Sequence, residues 1–132
     1  MPYKFPKPTS YLLKVKRTKA GLGLFADESI PRTQFVIEYF GRILRDEEVN
    51  YRSGKYLFEI NNNLTIDGRT RENKARYINH SCKPNCRTDV FGKRMFVFTK
   101  RMIEPGEELS YDYGKEYFDE FIKPNGCKCG NH

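Results

Sequence analysis

The sequence predicts a mainly β domain in which helix is confined to short pieces. Two observations carry that expectation. Short runs rich in β-branched and aromatic residues recur along the chain, and turn-forming residues separate them at close intervals.

Taken in order, Pro2 to Pro8 form a Pro-rich lead-in expected to be extended, so the ordered domain should begin near Tyr11. Tyr11-Leu-Leu-Lys-Val-Lys16 and Gln34-Phe-Val-Ile-Glu-Tyr39 read as half-buried strands, with Gly21-Leu-Gly-Leu-Phe-Ala26 between them. Gly41 punctuates the chain before Arg42-Ile-Leu44, and Asp46 to Tyr51 suits one short helix with Asp46 near its cap. Tyr56–Ile60 and Leu64–Ile66 flank Asn61-Asn-Asn63 as a hairpin, Asp67-Gly68 supplies another turn, and Arg87–Phe91 and Arg94–Thr99 flank Gly92-Lys93 in the same manner. Further short helices are expected around Arg71–Tyr77 and Glu116–Ile122, and Pro105-Gly106 sets a turn before a strand over Glu108–Tyr113.

A chain of 132 residues suits one compact domain. Nineteen Phe and Tyr side chains supply material for an ordered core even at 31% charged residues. No apolar run approaches a membrane span, and Met1-Pro-Tyr-Lys-Phe-Pro-Lys-Pro8 has no apolar signal core. The chain is therefore expected to be intracellular, cytoplasmic or chromatin-associated, with no membrane partner and no export by a signal peptide of the usual kind. Its net charge of +7, dense at Lys14-Val-Lys-Arg-Thr-Lys19, leaves contact with DNA or another polyanion open, although a solvated basic face is the plainer reading. Cys82, Cys86, Cys127 and Cys129 are enough for two disulfides, but Cys127-Lys-Cys129 suits a metal better and favours a reducing compartment.

Two segments concentrate chemistry. In Ala75-Arg-Tyr-Ile-Asn-His-Ser-Cys-Lys-Pro-Asn-Cys86 an apolar approach leads into a polar turn, where Asn79, His80 and Ser81 crowd hydrogen-bonding groups together and Pro84 stiffens the exit. A satisfied structural turn is the plain alternative. In Glu104-Pro-Gly-Glu-Glu-Leu-Ser-Tyr-Asp-Tyr-Gly114 two tyrosines stand two apart, which in a strand points both rings to one face; a core-facing aromatic stripe would look the same.

Together these segments resemble the SET-domain family of protein-lysine methyltransferases. The family's Asn-His-Ser-Cys-x-Pro-Asn-Cys motif stands at Asn79–Cys86 and its Gly-Glu-Glu-Leu-x-Tyr/Phe-Asp-Tyr motif at Gly106–Tyr113. Upstream and in family order, Ala20–Ala26 resembles the first cofactor motif, Glu38-Tyr-Phe-Gly41 the Glu-Tyr-x-Gly strand, and Tyr56-Leu-Phe58 the Tyr-x-Phe strand. Cys127-Lys-Cys129 resembles the start of a post-SET zinc segment. The resemblance implies a fold of several small β-sheets with a C-terminal knot-like crossing through which the Asn79 segment passes. It also implies a lead-in over residues 1–10, a SET domain over 11–114 and a post-SET segment over 115–132.

The implied activity is methyl transfer from S-adenosylmethionine to the lysine ε-amine of a protein or peptide, with S-adenosylhomocysteine as product and a histone tail or other basic protein as substrate. Residue by residue, Gly21, Leu22 and Gly23 would approach the cofactor's amino-acid end, while Tyr56, Arg76, Asn79 and His80 line the rest of its pocket. Tyr113 stands at the active-site tyrosine and shares the cofactor wall, and Tyr39, Tyr77 and Tyr111 help wall the lysine channel. His80 reads as a cofactor-positioning residue and not as a general base. Tyrosine at position 111 implies mainly monomethylation, with some dimethylation. Zinc is expected at Cys82, Cys127 and Cys129 with His132 replacing an absent last cysteine, which makes a Cys3His site, and Tyr117, Phe118 and Phe121 would then close over the pocket. Cys86 reads as a small buried hydrophobe. The alternative is a noncatalytic module of the same fold that binds a basic tail or nucleic acid.

Overall fold

In this computed structural model the described residues are 11–49, 56–61 and 63–113. Among these residues ten short strands form four small sheets. Strands β1 (Leu13–Thr18) and β2 (Gly21–Ala26) make an antiparallel ribbon in register from Leu13↔Ala26 to Thr18↔Gly21. Strands β3 (Phe35–Tyr39), β8 (Cys86–Phe91) and β9 (Arg94–Thr99) form an antiparallel sheet with β9 central. Strands β4 (Arg42–Arg45), β5 (Leu57–Glu59) and β6 (Leu64–Asp67) form another around β6. The last pair, β7 (Asn79–His80) and β10 (Ser110–Tyr111), runs parallel.

Local chemistry explains the turns. Between β5 and β6 the Asn61 side-chain oxygen accepts from the amides of Asn63 and Leu64, so one asparagine closes the turn. Among the described residues helix amounts to α1 (Asp46–Val49) and a 3₁₀ turn over Lys74–Tyr77. One turn of helix is not stable alone; α1 is held beside β4, where Glu48 accepts from the Arg45 amide and pairs with Arg42.

The main core gathers Leu24, Ile30, Val36, Ile66, Ile78, Met95, Val97, Ile103 and Leu109, with Tyr39 and Tyr111 buried among them. Alternation on β9 sends Met95 and Val97 into it, whereas Phe96 and Phe98 join Phe35 in a second cluster with Phe91 against it. Among the described residues no helix is long and apolar enough to cross a membrane.

Gly21–Ala26, to which the sequence reading gave no element, is a strand. Two expectations need correction. The helix expected around Arg71–Tyr77 shrinks to the 3₁₀ turn, because the buried Asn73 side chain donates to the Gly68 carbonyl and accepts from the Phe40 amide, fixing the approach in a non-helical course. The strand expected over Glu108–Tyr113 pairs in a ladder only at Ser110–Tyr111, because its flanks bond elsewhere: the Leu109 amide donates to the Leu24 carbonyl and the Tyr113 amide to a His80 ring nitrogen. The helix expected over Glu116–Ile122 and the end of the one expected over Asp46–Tyr51 lie outside the described residues, as does the C-terminal chain of the knot-like crossing.

Candidate functional site

Two segments far apart in sequence meet where β7 lies beside β10, with Asn79 opposite Ser110 and His80 opposite Tyr111. The Ser81 amide extends this contact to the Tyr111 carbonyl, and buried Asn85 reaches across, donating to the Glu108 carbonyl and accepting from the Ser110 amide. The polar crowding read in the sequence is thus resolved by bonds between the two motifs.

From this seam an aromatic wall runs outwards. Tyr113 lies against Tyr111 with ring centroids 5.0 Å apart, Tyr111 meets Phe58 at 6.1 Å, and Phe58 meets Tyr39 at 5.8 Å. The hydroxyls are aimed by backbone acceptors: Tyr113 donates to the Ile78 carbonyl and Tyr39 to the Tyr56 carbonyl. Tyr39 and Tyr111 are buried and Tyr113 is half-buried, so the wall grades from core to pocket. Gly68 lets it close, since a Cβ there would run into the Tyr39 ring.

His80 flanks Tyr113, with ring centroids 5.4 Å apart. Its Nδ1 accepts the Tyr113 amide at 3.1 Å, so a neutral ring carries its proton on Nε2, which lies 3.4 Å from Cys82 Sγ. The Asp112 carboxylate, 3.8 Å from Nδ1, is too distant for a hydrogen bond to that nitrogen. His80 is therefore engaged at both nitrogens, which suits positioning more than proton transfer.

On the other side Asn79 ties the seam to the β1–β2 ribbon. Its amide nitrogen donates to the Leu22 carbonyl at 3.1 Å and to Glu108 Oε2 at 2.8 Å. Both partners are pure acceptors, which fixes the amide orientation by chemistry. Glu108 fits because position 23 is glycine: a Cβ there would collide with its carboxylate. At Gly21, φ is +103° and no atom lies within 4 Å of the point a Cβ would occupy, so the backbone stands clear for close approach.

Arg76 stands over the rings of Tyr56 and Tyr77, 4.7 and 4.8 Å from their centroids, and donates to the Arg69 carbonyl. Its Nε is buried with no hydrogen-bond partner among the described residues. The Arg76 Nε donor and the open backbone at Gly21 are thus groups left over for a ligand, while the Asn79 amide is already spent on holding the seam.

The structure thus brings together Tyr39, Tyr111, Tyr113, Asn79, His80 and Leu22, and joins Tyr56 and Tyr77 through Arg76. Tyr77 carries Arg76 on its ring and packs against the core that contains Tyr39 and Tyr111. Phe58 and Glu108 were not expected at the site. Phe58 was visible within the Tyr-x-Phe strand; the second glutamate of the Gly-Glu-Glu-Leu run carried no signal that distinguished it from a surface acid.

Of the metal candidates, Cys82 is exposed, while Cys127, Cys129 and His132 lie outside the described residues. No metal-competent group of three or more His, Cys, Asp or Glu occurs among the described residues. Burial pushes the Cys86 thiol up to about 12, so it stays protonated and makes a poor ligand.

These features define a small-sheet β domain in which sequence-distant motifs are joined at one site. Comparison then fixes the family: the SET domain matches residues 21–114, and the chain belongs to that family. It is 42% identical over 122 residues to human histone-lysine N-methyltransferase 2D, covering 83% of this chain and 2% of that protein. Against histone-lysine N-methyltransferase trithorax of Drosophila virilis it is 40% identical over 123 residues, or 84% of this chain and 3% of the relative. The Arabidopsis thaliana histone-lysine N-methyltransferase ASHR3 is 37% identical over 130 residues, 89% of this chain and 26% of its own length. The chain thus spans a small part of the curated relatives it matches.

Proposed function

We propose that this chain transfers methyl groups from S-adenosylmethionine to lysine side chains of proteins, with histone tails as the leading substrate. The observation that supports this most is the wall Tyr39–Phe58–Tyr111–Tyr113 ending against Asn79 and His80. The names of the relatives agree with it, as all three are histone-lysine N-methyltransferases.

When bound, S-adenosylmethionine supplies an electrophilic methyl carbon on a positive sulfonium. The work left to the protein is to present a neutral amine in line with that carbon, yet free lysine has a pKa of about 10.4. The aromatic wall strips water from the ammonium and so favours loss of its proton. Ring faces hold the cationic side chain before it is deprotonated, at about 0.5–2 kcal/mol per contact. Tyr113, its hydroxyl aimed by the Ile78 carbonyl, orients the reacting groups. Gly21, Leu22, Gly23, Tyr56, Arg76, Asn79 and His80 bind and orient the donor, and Tyr77 frames the Arg76 side. Alignment of this kind removes up to about 7–11 kcal/mol from a barrier.

Tyr111 carries the product reading: its hydroxyl narrows the space beside the amine, so monomethyl-lysine is the main product with some dimethyl-lysine. Tyr111→Phe should shift product towards higher states by mass spectrometry, and trimethyl-lysine as the main wild-type product would refute the assignment. We place the SET domain at 11–114 and a post-SET segment at 115–132, with zinc held by Cys82, Cys127, Cys129 and His132. The exposed Cys82 thiol and the protonated Cys86 thiol agree with that ligand choice. Metal analysis should find one zinc per chain, reduced in Cys82→Ser. Chromatin is the expected location. Incubation with tritiated cofactor and histones, nucleosomes or lysate, followed by mapping of labelled lysines, tests the activity; label that enters no lysine would overturn it.

A further inference from the structure

The net charge is not spread evenly. From Leu13 to Ala26 the β1–β2 ribbon carries Lys14, Lys16, Arg17 and Lys19 and no Asp or Glu, a formal +4 of the chain's +7. Elsewhere five arginines are paired with carboxylates: Arg42 with Glu48, Arg69 with Asp67, Arg87 with Asp89, Arg94 with Glu38 and Arg101 with Glu107. The ribbon's four cations are exposed and make no ion pair with any described residue. Of the carboxylates near the ribbon, Glu28 accepts from the Leu12 amide and Glu108 from Asn79, while Asp27 follows β2 at the end away from Arg17 and Lys19.

The backbone under these charges is held in place. Lys14 and Lys16 share one face by alternation, about 6.8 Å apart in an antiparallel strand, while Leu13 and Val15 pack on the core. At the ribbon's turn end the Thr18 hydroxyl donates to the Gly21 carbonyl and accepts from the Ala20 amide, fixing the turn that presents Arg17 and Lys19.

We infer that the β1–β2 ribbon is a docking surface for the phosphate backbone of double-stranded DNA. Four unneutralised cations on a pre-ordered ribbon match a duplex, which carries one charge per about 1.7 Å of its axis. A single strand is the poorer fit, because it needs exposed ring faces to stack on, and the ribbon's one ring, Phe25, is half-buried with Lys16 Nζ 5.1 Å from its centroid. The reading rests on the proposed lysine-methylating activity for its purpose: a +7 enzyme repels a lysine-rich substrate, and DNA that attracts both brings them together. The ribbon also adjoins the pocket, since Asn79 bonds the Leu22 carbonyl on β2.

The test is fluorescence anisotropy with a mixed-sequence 20-base-pair duplex and no methyl donor, so that its outcome does not depend on catalysis. Four phosphate contacts predict a log–log salt slope of roughly −3.6, or an affinity loss of roughly 100-fold between 50 and 200 mM NaCl. The variant Lys14→Gln/Lys16→Gln/Arg17→Gln/Lys19→Gln should flatten that slope by roughly 3 and weaken binding more than 10-fold. A control with the same charge removed elsewhere, Arg32→Gln/Arg45→Gln/Lys93→Gln/Lys100→Gln, should lose less than about 3-fold. Circular dichroism of both variants guards against unfolding. Equal losses in the two variants, absence of salt-dependent duplex binding, or a single strand that outcompetes the duplex would each overturn the inference. On a free lysine peptide the ribbon variant should retain wild-type turnover, and on nucleosomes it should lose it.

Discussion

Two aromatic clusters made from nearly the same materials behave differently. Phe35, Phe91, Phe96 and Phe98 meet at centroid distances of 5.6 to 6.0 Å, and Arg94 and Arg87 lie over Phe96 and Phe98 at 5.0 and 4.8 Å. Arg94 is in turn held by Glu38, so rings, guanidinium and carboxylate satisfy one another. The wall from Tyr39 to Tyr113 uses similar ring spacings, but three of its four members carry hydroxyls, and it ends on Asn79 and His80. Edge-to-face packing is common to both. The polar atoms make the difference: one cluster is built of phenylalanines capped by arginines, and the other leaves directed hydroxyls and polar groups at its margin.

The contrast can be broken at either cluster. Phe96→Ala removes a large, nearly fully buried ring and should cost about 3–5 kcal/mol in urea unfolding, with the cofactor KM of the surviving folded enzyme unchanged. Tyr113→Phe should do the reverse, lowering kcat by about 100-fold or more. Its thermal stability should fall by no more than the value of one hydrogen bond, about 1 kcal/mol. Smaller again, Glu108→Ala releases one of the two bonds that hold the Asn79 amide and should raise the cofactor KM about 10-fold, equivalent to about 1.4 kcal/mol, with kcat less affected. Steady-state kinetics with the cofactor varied would separate the two parameters, and a pure kcat loss would remove the positioning role.

The smallest effect concerns the two described cysteines. Once zinc has been stripped with a chelator, iodoacetamide at pH 8 to 9 should modify exposed Cys82 readily and leave Cys86 intact, because burial holds the Cys86 thiol protonated up to about 12. Peptide mapping after brief alkylation reads this directly. Equal labelling would mean that the β8 end of the core opens under native conditions.

Much of the fold was legible because turn chemistry is local. The asparagines at 61–63 and Gly92-Lys93 marked their hairpins, and the β-branched and aromatic runs marked the strands on either side. β2 was missed because two glycines mask a strand whose partner supplies the ladder, and the long final strand was overdrawn because His80 and Leu24 take hydrogen bonds that a ladder would need. At the site, Asn79, His80 and the paired tyrosines stood out by motif. Glu108 did not, since its meaning comes from a glycine 85 positions earlier in the chain that leaves room for its carboxylate.

The parallel pairing of β7 with β10 also sets when in a chain's life the pocket exists. Leu22, Asn79 and Glu108 become one unit only after Ser110 and Tyr111 have inserted beside Asn79 and His80. During synthesis from the N-terminus, the β1–β2, β4–β6 and β8–β9 pairings are all available before Ser110 and Tyr111 have been made. The unit formed by Leu22, Asn79 and Glu108 is therefore among the last parts of the described fold that can be assembled.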